Sequence, residues 1–131
     1  MNKTFKKIAA SIMAVTTLAV SMAGMSANAY GGYNYETFNN VSIEKYIDCA
    51  KYGAGGHTKC TSQACSYVYV SINATNSSTG SKSDSFFATR GTASVHIEPD
   101  SGKTFKTGTT SHYVVISGVS KWLDQMVANA G

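Results

Sequence analysis

The sequence predicts an all-β fold, a small antiparallel β-sandwich or barrel of five to six strands with a short C-terminal helix. Between Tyr67 and Ile72, Tyr and Ser alternate with Val and Ile, and this period of two is typical of a strand with one aliphatic face. Polar segments rich in turn formers at 76–80 and 99–102 separate it from further alternating stretches. Residues 30–131 are also rich in Ser, Thr and Tyr, which suits pleated sheets better than helices.

The remaining elements follow in chain order. Residues 41–47 alternate like a strand, although their spacing also fits a helix, and we favour the strand. The glycines of 53–56 match no phosphate-binding pattern and are interpreted as a flexible loop. Phe86 opens an extended stretch, and residues 93–98 alternate between aliphatic and polar side chains. Two short strands are predicted at 104–107 and 113–116.

The C-terminal segment predicts a helix. Ser120 is a suitable N-cap residue, and Asn129 and Gly131 are suitable terminators. The apolar residues between them have the spacing of one helical face: Trp122, Leu123, Met126 and Val127. We expect this helix to cover an open side of the sheet.

Residues 1–29 have the three parts of a secretory signal peptide: three lysines within the first seven residues, an uncharged apolar run over 8–20, and an Ala-Asn-Ala ending. At roughly 13 residues, the run is shorter than the about 20 that a membrane-spanning helix needs. We therefore predict cleavage, a single secreted extracellular domain at 30–131, and no stable membrane span in the product.

The formal charge of +4 belongs to the whole chain, and three of its basic residues lie in the predicted signal peptide. Residues 30–131 retain eight basic and seven acidic residues, so they are close to neutral. Nucleic-acid binding, which depends on positive charge, is not expected.

Three cysteines, Cys49, Cys60 and Cys65, lie in the predicted secreted domain. In an exported protein they predict one disulfide and one odd thiol, and the sequence leaves all three pairings open. The odd thiol is expected either to lie in the core as a small hydrophobe or to link two chains into a homodimer.

A zinc site is the alternative for the same residues. Cys49, His57, Cys60 and Cys65 supply the three thiolates and one imidazole that tetrahedral Zn²⁺ accepts, although their spacing matches no standard zinc finger. A cysteine nucleophile activated by His57 or His112 is a further alternative, without a third orienting group. His96 and His112 each alternate with apolar residues and are expected at solvent or at a sheet edge. No catalytic motif is found, so we predict neither an enzyme nor a cofactor.

Tyrosine is the most abundant aromatic residue, with eight copies, all after residue 29. Exposed tyrosine is a good contact residue because it offers a large amphipathic area and loses little rotamer freedom. Packing against the sheet is the alternative role. The residues predicted to form a binding surface are Tyr30, Tyr33, Tyr35, Tyr67, Tyr69 and Tyr113.

The order of several segments resembles the lactococcin 972 family of small secreted bacteriocins from Gram-positive bacteria. The similar segments are Tyr30-Gly31-Gly32-Tyr33, the strand at 66–73, the polar turn at 76–80, Gly91-Thr92-Ala93-Ser94-Val95, and Ser111-His112-Tyr113. The three cysteines are not part of that pattern. The resemblance implies an all-β sandwich, export, and antimicrobial action on neighbouring bacteria through the cell-wall precursor lipid II. No functional residue of this chain can be assigned from the resemblance.

The function predicted from the sequence is therefore non-catalytic binding of a bacterial envelope component by a secreted domain. An extracellular self-associating protein, linked through the odd cysteine or a sheet edge, is the second hypothesis. The Cys₃His zinc module is the third.

Overall fold

The computed structural model describes residues 26–29, 31–76 and 80–130, and these residues form two packed sheets. The all-β prediction is confirmed. Ten strands are found in this part of the chain: β1 Ser26–Ala29, β2 Gly31–Phe38, β3 Val41–Ala50, β4 Gly53–Cys60, β5 Cys65–Asn76, β6 Ser81–Ala88, β7 Gly91–Ile97, β8 Phe105–Ile116, β9 Val119–Trp122 and β10 Met126–Asn129.

The four-stranded sheet has the order β2-β3-β4-β7 and is antiparallel throughout. The six-stranded sheet has the order β1-β10-β8-β5-β6, and β9 also pairs with β8. All pairs in the six-stranded sheet are antiparallel except β1 with β10, which is parallel.

The core lies between the two sheets and is built from alternate residues of their inner faces. Ile43 and Ile47 of β3 belong to the same core cluster as Val68, Val70 and Ile72 of β5, and all five are fully buried. Each such side chain contributes about 1.5–3 kcal/mol through its removal from water. The aliphatic face predicted between Tyr67 and Ile72 is thus confirmed.

Two hairpin turns have positive φ at both central residues. Asn39 and Asn40 join β2 to β3 with φ of 49° and 61°, and Ser117 and Gly118 join β8 to β9 with φ of 52° and 77°. These are the angles of type I′ turns, whose twist matches that of the flanking strands. Asn and Gly adopt this region more readily than most residues, so the sequence favours tight hairpins at both points.

The prediction of a flexible loop at 53–56 is wrong, because these residues begin strand β4. Gly56 lies where the two sheets approach each other, and a Cβ there would be 2.6 Å from both Thr110 Cγ2 and the Tyr46 carbonyl oxygen. Glycine is therefore required by packing, and its low strand propensity is overridden by the tertiary structure.

The prediction of a C-terminal helix is also wrong, because this segment forms strands β9 and β10. The turn at Ser117 and Gly118 directs the chain back along β8, so residues 119–122 form β9. In β10, Met126 and Ala128 are buried while Val127 and Asn129 are more exposed, a period of two that four residues are too few to reveal. The apolar spacing that fits a helix belongs instead to two short strands that pair with different parts of β8.

The five to six strands predicted were too few, because β1, β2, β4, β9 and β10 were not recognised. The two short strands predicted at 104–107 and 113–116 are parts of one strand, β8. Most of the predicted signal peptide, residues 1–25, lies outside the described residues, and the prediction of cleavage stays a prediction. Its last four residues form β1, so cleavage after Ala29 would remove β1 and leave β10 at the sheet edge. Among the described residues, no helix has the length and apolar character needed to span a membrane.

Candidate binding surface

The tyrosines predicted to bind a partner lie on two opposite faces of the sandwich. Tyr67, Tyr69 and Tyr113 are on the outer face of the six-stranded sheet, whereas Tyr33 and Tyr35 are on the outer face of the four-stranded sheet. Tyr30 lies outside the described residues. The predicted surface is therefore not continuous.

The tyrosines of the six-stranded sheet are packed in a cluster. Tyr69 and Tyr113 are buried, and both contact Trp122, with ring centroids 5.9 Å and 4.9 Å away. Tyr67 stacks on Phe87 at 5.4 Å, and burial raises the pKa of Tyr67 to about 12. These rings stabilise the outer side of the sheet and offer little exposed contact area in this structure.

The other outer face presents what we call the tyrosine–histidine face: Tyr33 and Tyr35 of β2, Glu44 and Tyr46 of β3, and His57 of β4. Tyr33 and Tyr35 are 59% and 63% exposed, and the other three are partly exposed. All five point outward because strand residues alternate between faces, while Ile43, Lys45 and Ile47 of β3 point inward.

Strand register places three of these rings side by side. Tyr33 is opposite Tyr46, and Tyr46 is opposite His57. The centroid distances are 4.6 Å for Tyr33 with Tyr46 and 5.1 Å for Tyr46 with His57, whose planes are 22° apart. Cross-strand aromatic pairs stabilise a sheet face and limit ring motion.

Glu44 joins this row of rings to Tyr35. His57 Nε2 donates to Glu44 Oε2 at 2.7 Å, and the Tyr35 hydroxyl donates to Glu44 Oε1 at 3.2 Å. The hydrogen bond from His57 lowers the pKa of Glu44, with smaller contributions from Tyr35 and Lys59, so this carboxylate is charged at neutral pH. The hydrogen bond to Glu44 raises the pKa of Tyr35.

Asp48 lies on β3 beyond Tyr46, between two glycines. Gly31 and Gly55 are its register partners on the neighbouring strands, so neither contributes a side chain beside the carboxylate. A Cβ at Gly55 would be 2.7 Å from the Val95 carbonyl oxygen, 3.3 Å from Asp48 Oδ1 and 3.4 Å from His96 Nδ1. Asp48 and His96 therefore pack closely over Gly55, which is buried and leaves no room for a side chain.

The cysteines form one disulfide, between Cys60 and Cys65. Cys49 is the free cysteine of the described residues, and it is fully buried against Gly108. Burial raises the pKa of its thiol to about 11. A disulfide-linked homodimer through Cys49 would require this residue to leave the core.

The residues suggested for zinc are not brought together. Two of the thiols are joined in the disulfide, and His57 points outward whereas Cys49 and Cys60 point into the core. No group of three His, Cys, Asp or Glu side chains suited to a metal ion is found in the described part of the chain. His57 likewise lies on the opposite side of its sheet from Cys49, so the suggested nucleophile pair does not form there.

His96 is exposed as expected, but the expectation for His112 was wrong because β8 is buried on both faces along this stretch. His112 Nδ1 lies 2.7 Å from Thr58 Oγ1, and its Nε2 lies 2.8 Å from Thr110 Oγ1. The Thr58 hydroxyl donates to the Tyr69 carbonyl, so Nδ1 donates to Thr58 and Nε2 accepts from Thr110. This arrangement satisfies a neutral imidazole.

Lys45 is a second buried polar residue that the sequence pattern did not identify. Its ammonium group donates to Glu36 Oε1 at 3.0 Å and to the Asp124 carbonyl at 2.9 Å. Glu36 Oε1 also accepts from the Asp124 amide. These bonds connect β2 and β3 to the segment between β9 and β10, so they support the strands that carry the tyrosine–histidine face.

A shallow cleft of about 350 Å³ lies at one end of the sandwich, beside the turn between β3 and β4. Tyr52 and residues 98–104 line it. Its side chains are mostly exposed, and Asp100 is paired with Lys82 at 3.2 Å. The cleft has no buried polar group directed into it that would mark a binding pocket.

The sequence identified Tyr33, Tyr35 and His57 individually but missed Glu44, Tyr46, Asp48 and His96. The alternation along β3 could have indicated three of them, because Glu44, Tyr46 and Asp48 alternate with buried residues and therefore share the outer face. Their grouping with β4 and β7 depends on strand register, which one sequence does not specify.

Comparison with known proteins gives no relative: no family model, no curated protein and no solved structure matches the chain.

Proposed function

We propose that this chain is a secreted, non-catalytic binding protein that contacts a component of the bacterial cell envelope through its tyrosine–histidine face. The observation that carries the proposal is the pair of highly exposed tyrosines, Tyr33 and Tyr35, held by Tyr46 and Glu44 behind them. Large exposed aromatic residues on a rigid element are the usual anchors of binding surfaces.

Preorganisation favours binding by these residues. The ring of Tyr33 packs on Tyr46, and the hydroxyl of Tyr35 is hydrogen-bonded to Glu44. Little side-chain freedom remains to be lost when a partner binds, so more of the contact free energy contributes to affinity.

An envelope component is the partner that agrees with the rest of the sequence. The predicted signal peptide directs the protein outside the cell. The resemblance to the lactococcin 972 family implies an antimicrobial protein that uses lipid II. A protein of this kind acts by recognition alone and needs neither a cofactor nor a catalytic centre.

Cosedimentation tests the proposal. Purified protein is mixed with Gram-positive cell walls or with vesicles containing lipid II, and the bound fraction is measured. We expect binding of the native protein and a loss of affinity of at least about tenfold in the double variant Tyr33→Ser/Tyr35→Ser, because both contact rings are removed.

Tyr52→Ser is the matched control, because Tyr52 is 74% exposed but lies at the turn between β3 and β4. It should bind like the native protein. Native protein that binds no envelope preparation would contradict the proposed partner, and unchanged binding by the double variant would contradict the proposed face.

Self-association through a sheet edge is a second candidate function. β6 is the edge strand beside β5, and it carries Phe86 with 55% of its surface exposed. Such an edge can pair with a second chain, although Lys82 and Asp84 on the same strand oppose close approach of identical edges. Analytical ultracentrifugation under reducing conditions tests this function: a concentration-dependent dimer that Phe86→Lys abolishes supports it, and a strict monomer excludes it.

A further inference from the structure

We infer that the free edge of β2 pairs with the β2 edge of a second copy of this chain, so that the four-stranded sheets of two copies join into one antiparallel sheet. This edge is distinct from the β6 edge considered above. The pairing depends on the backbone of β2 and on strand register rather than on an envelope ligand, so it goes beyond the proposed function.

The hairpin between β2 and β3 determines which backbone groups of β2 are unpaired. Its turn at 39–40 has two residues of type I′ geometry, so the flanking residues Phe38 and Val41 form a hydrogen-bonded pair. Hydrogen-bonded and non-hydrogen-bonded pairs then alternate along an antiparallel ladder. The odd-numbered residues of β2 are therefore non-hydrogen-bonded with β3, and their amide and carbonyl groups point to the open edge.

The β2 edge lacks the features that usually keep sheet edges from pairing. It has eight residues in continuous register with β3, without proline or a bulge. Its one charged residue, Glu36, is bound by the buried Lys45. In contrast, the β6 edge carries Lys82 and Asp84, and the β7 edge lies close to β6. β2 is thus the edge best suited to receive another strand.

The register of the pairing follows from the position of the free backbone groups, because odd-numbered residues of both copies must be opposite each other. With Asn34 on the two-fold axis, residues 31–37 overlap, and Tyr33 of each copy is opposite Tyr35 of the other. Both tyrosines are highly exposed in the single chain, and two cross-strand aromatic pairs would cover part of their surface. Centring the pairing on Tyr35 would place Tyr33 opposite Thr37 and form only one tyrosine pair.

The joined sheet would extend the tyrosine–histidine face across two chains. Within one chain, register places Tyr33 beside Tyr46 and Tyr35 beside Glu44. Across the joint, the row that ends in Tyr33 of one copy continues into Tyr35 and Glu44 of the other. A polymer with repeated binding groups would then meet two equivalent contact surfaces on one molecule.

The six-stranded sheet leaves more room for this pairing after the predicted cleavage. β1 and β10 lie at its edge on the same side of the sandwich as β2, and both are close to β2. Cleavage after Ala29 would remove β1. Less of the six-stranded sheet would then separate the β2 edges of two copies.

Analytical ultracentrifugation of the purified secreted protein tests the pairing through charges introduced at Asn34, which would face its own copy. We expect the native protein to form a dimer that dissociates on dilution. Asn34→Asp and Asn34→Lys should each raise the dissociation constant at least about tenfold, because like charges would lie opposite each other. An equimolar mixture of the two variants should regain dimerisation, because opposite charges would then meet.

Ser83→Asp and Ser83→Lys are the matched controls, because Ser83 is an exposed polar residue of the other edge strand, β6. Both should dimerise like the native protein. Recovery of the dimer in the mixture also shows that the two Asn34 variants are folded.

Four results would overturn the pairing: native protein that stays monomeric at about 1 mM, unchanged dimerisation of either Asn34 variant, no recovery in their mixture, or loss of the dimer in a Ser83 variant. The assay contains no envelope preparation. Its failure would therefore leave the proposed function intact, and failure of cell-wall binding would leave the dimer intact.

Discussion

His112 lies in the core with both ring nitrogens within hydrogen-bond distance of threonine hydroxyls. Burial lowers its pKa well below 6.5, and the nearby charge of Lys45 adds to this effect. A protonated imidazole would have two donors, and the Thr110 hydroxyl would then have to give up its own donation to Nε2. The core therefore holds His112 in its neutral form.

This burial predicts acid sensitivity of the fold. Because the pKa of His112 is lower in the folded state than in the unfolded chain, the unfolded chain takes up the proton first. The stabilisation is complete above about pH 6.5 and is progressively lost as the pH falls below that value. Urea unfolding at pH 7.5, 6.5 and 5.5 should show decreasing midpoints. The decrease should be smaller in His112→Gln and unchanged in His96→Gln, and pH-independent midpoints would contradict this role of His112.

Position 56 requires glycine, because the structure has no room there for a side chain. An added methyl group would be 2.6 Å from both Thr110 Cγ2 and the Tyr46 carbonyl oxygen, so the backbone or the opposing sheet must move. We expect Gly56→Ala to reduce the free energy of unfolding by about 1–3 kcal/mol, the usual cost of overpacking.

Gly53→Ala is the matched control for Gly56→Ala. The nearest atom to a Cβ at Gly53 is His96 Cε1 at 3.0 Å, and this exposed ring can rotate away. Chemical denaturation of the two variants should therefore show the larger loss for Gly56→Ala. Equal stability of the two variants would show that the sheets do not approach as closely at Gly56 as described.

At the scale of elements, the hairpin between β8 and β9 decides the course of the C-terminal segment. Gly118 has φ of 77°, and nothing lies within 4 Å of an added Cβ, so the cost of a side chain there is conformational. We expect Gly118→Ala to lose about 1–2 kcal/mol of stability. Gly118→Asn should lose less, because Asn tolerates the left-handed region. Thermal unfolding compares the two, and a greater loss for the Asn variant would count against the type I′ turn.

The elements differ in how far the sequence predicts them, and the reasons are physical. β5 was predicted because its alternation continues for several residues and its inner face is aliphatic. β4 was not, because its inner face includes glycine where the sheets approach closely. β9 and β10 were taken for a helix because each has only four residues, too few to distinguish a period of two from helical spacing.

At the scale of the whole molecule, the two sheets give the tyrosines different roles. The six-stranded sheet packs Tyr69 and Tyr113 with Trp122, whereas the four-stranded sheet leaves Tyr33 and Tyr35 exposed. Composition alone predicted a tyrosine-rich surface but not its division between faces, because that division depends on strand order and register. Glu44 and Asp48 lie far along the chain from His96. Because strand register is not known from one sequence, these three residues could not be predicted to lie on the same outer face.

The central claim, that the tyrosine–histidine face contacts an envelope component, is tested most directly by tyrosine nitration with and without bound cell walls. Modified residues are identified by peptide mass spectrometry. Tyr33, Tyr35 and Tyr52 are all highly exposed and should react in the free protein. We predict that bound cell walls protect Tyr33 and Tyr35 while Tyr52 stays reactive. Protection of Tyr52 with continued reaction of Tyr33 and Tyr35 would contradict the assignment of this face.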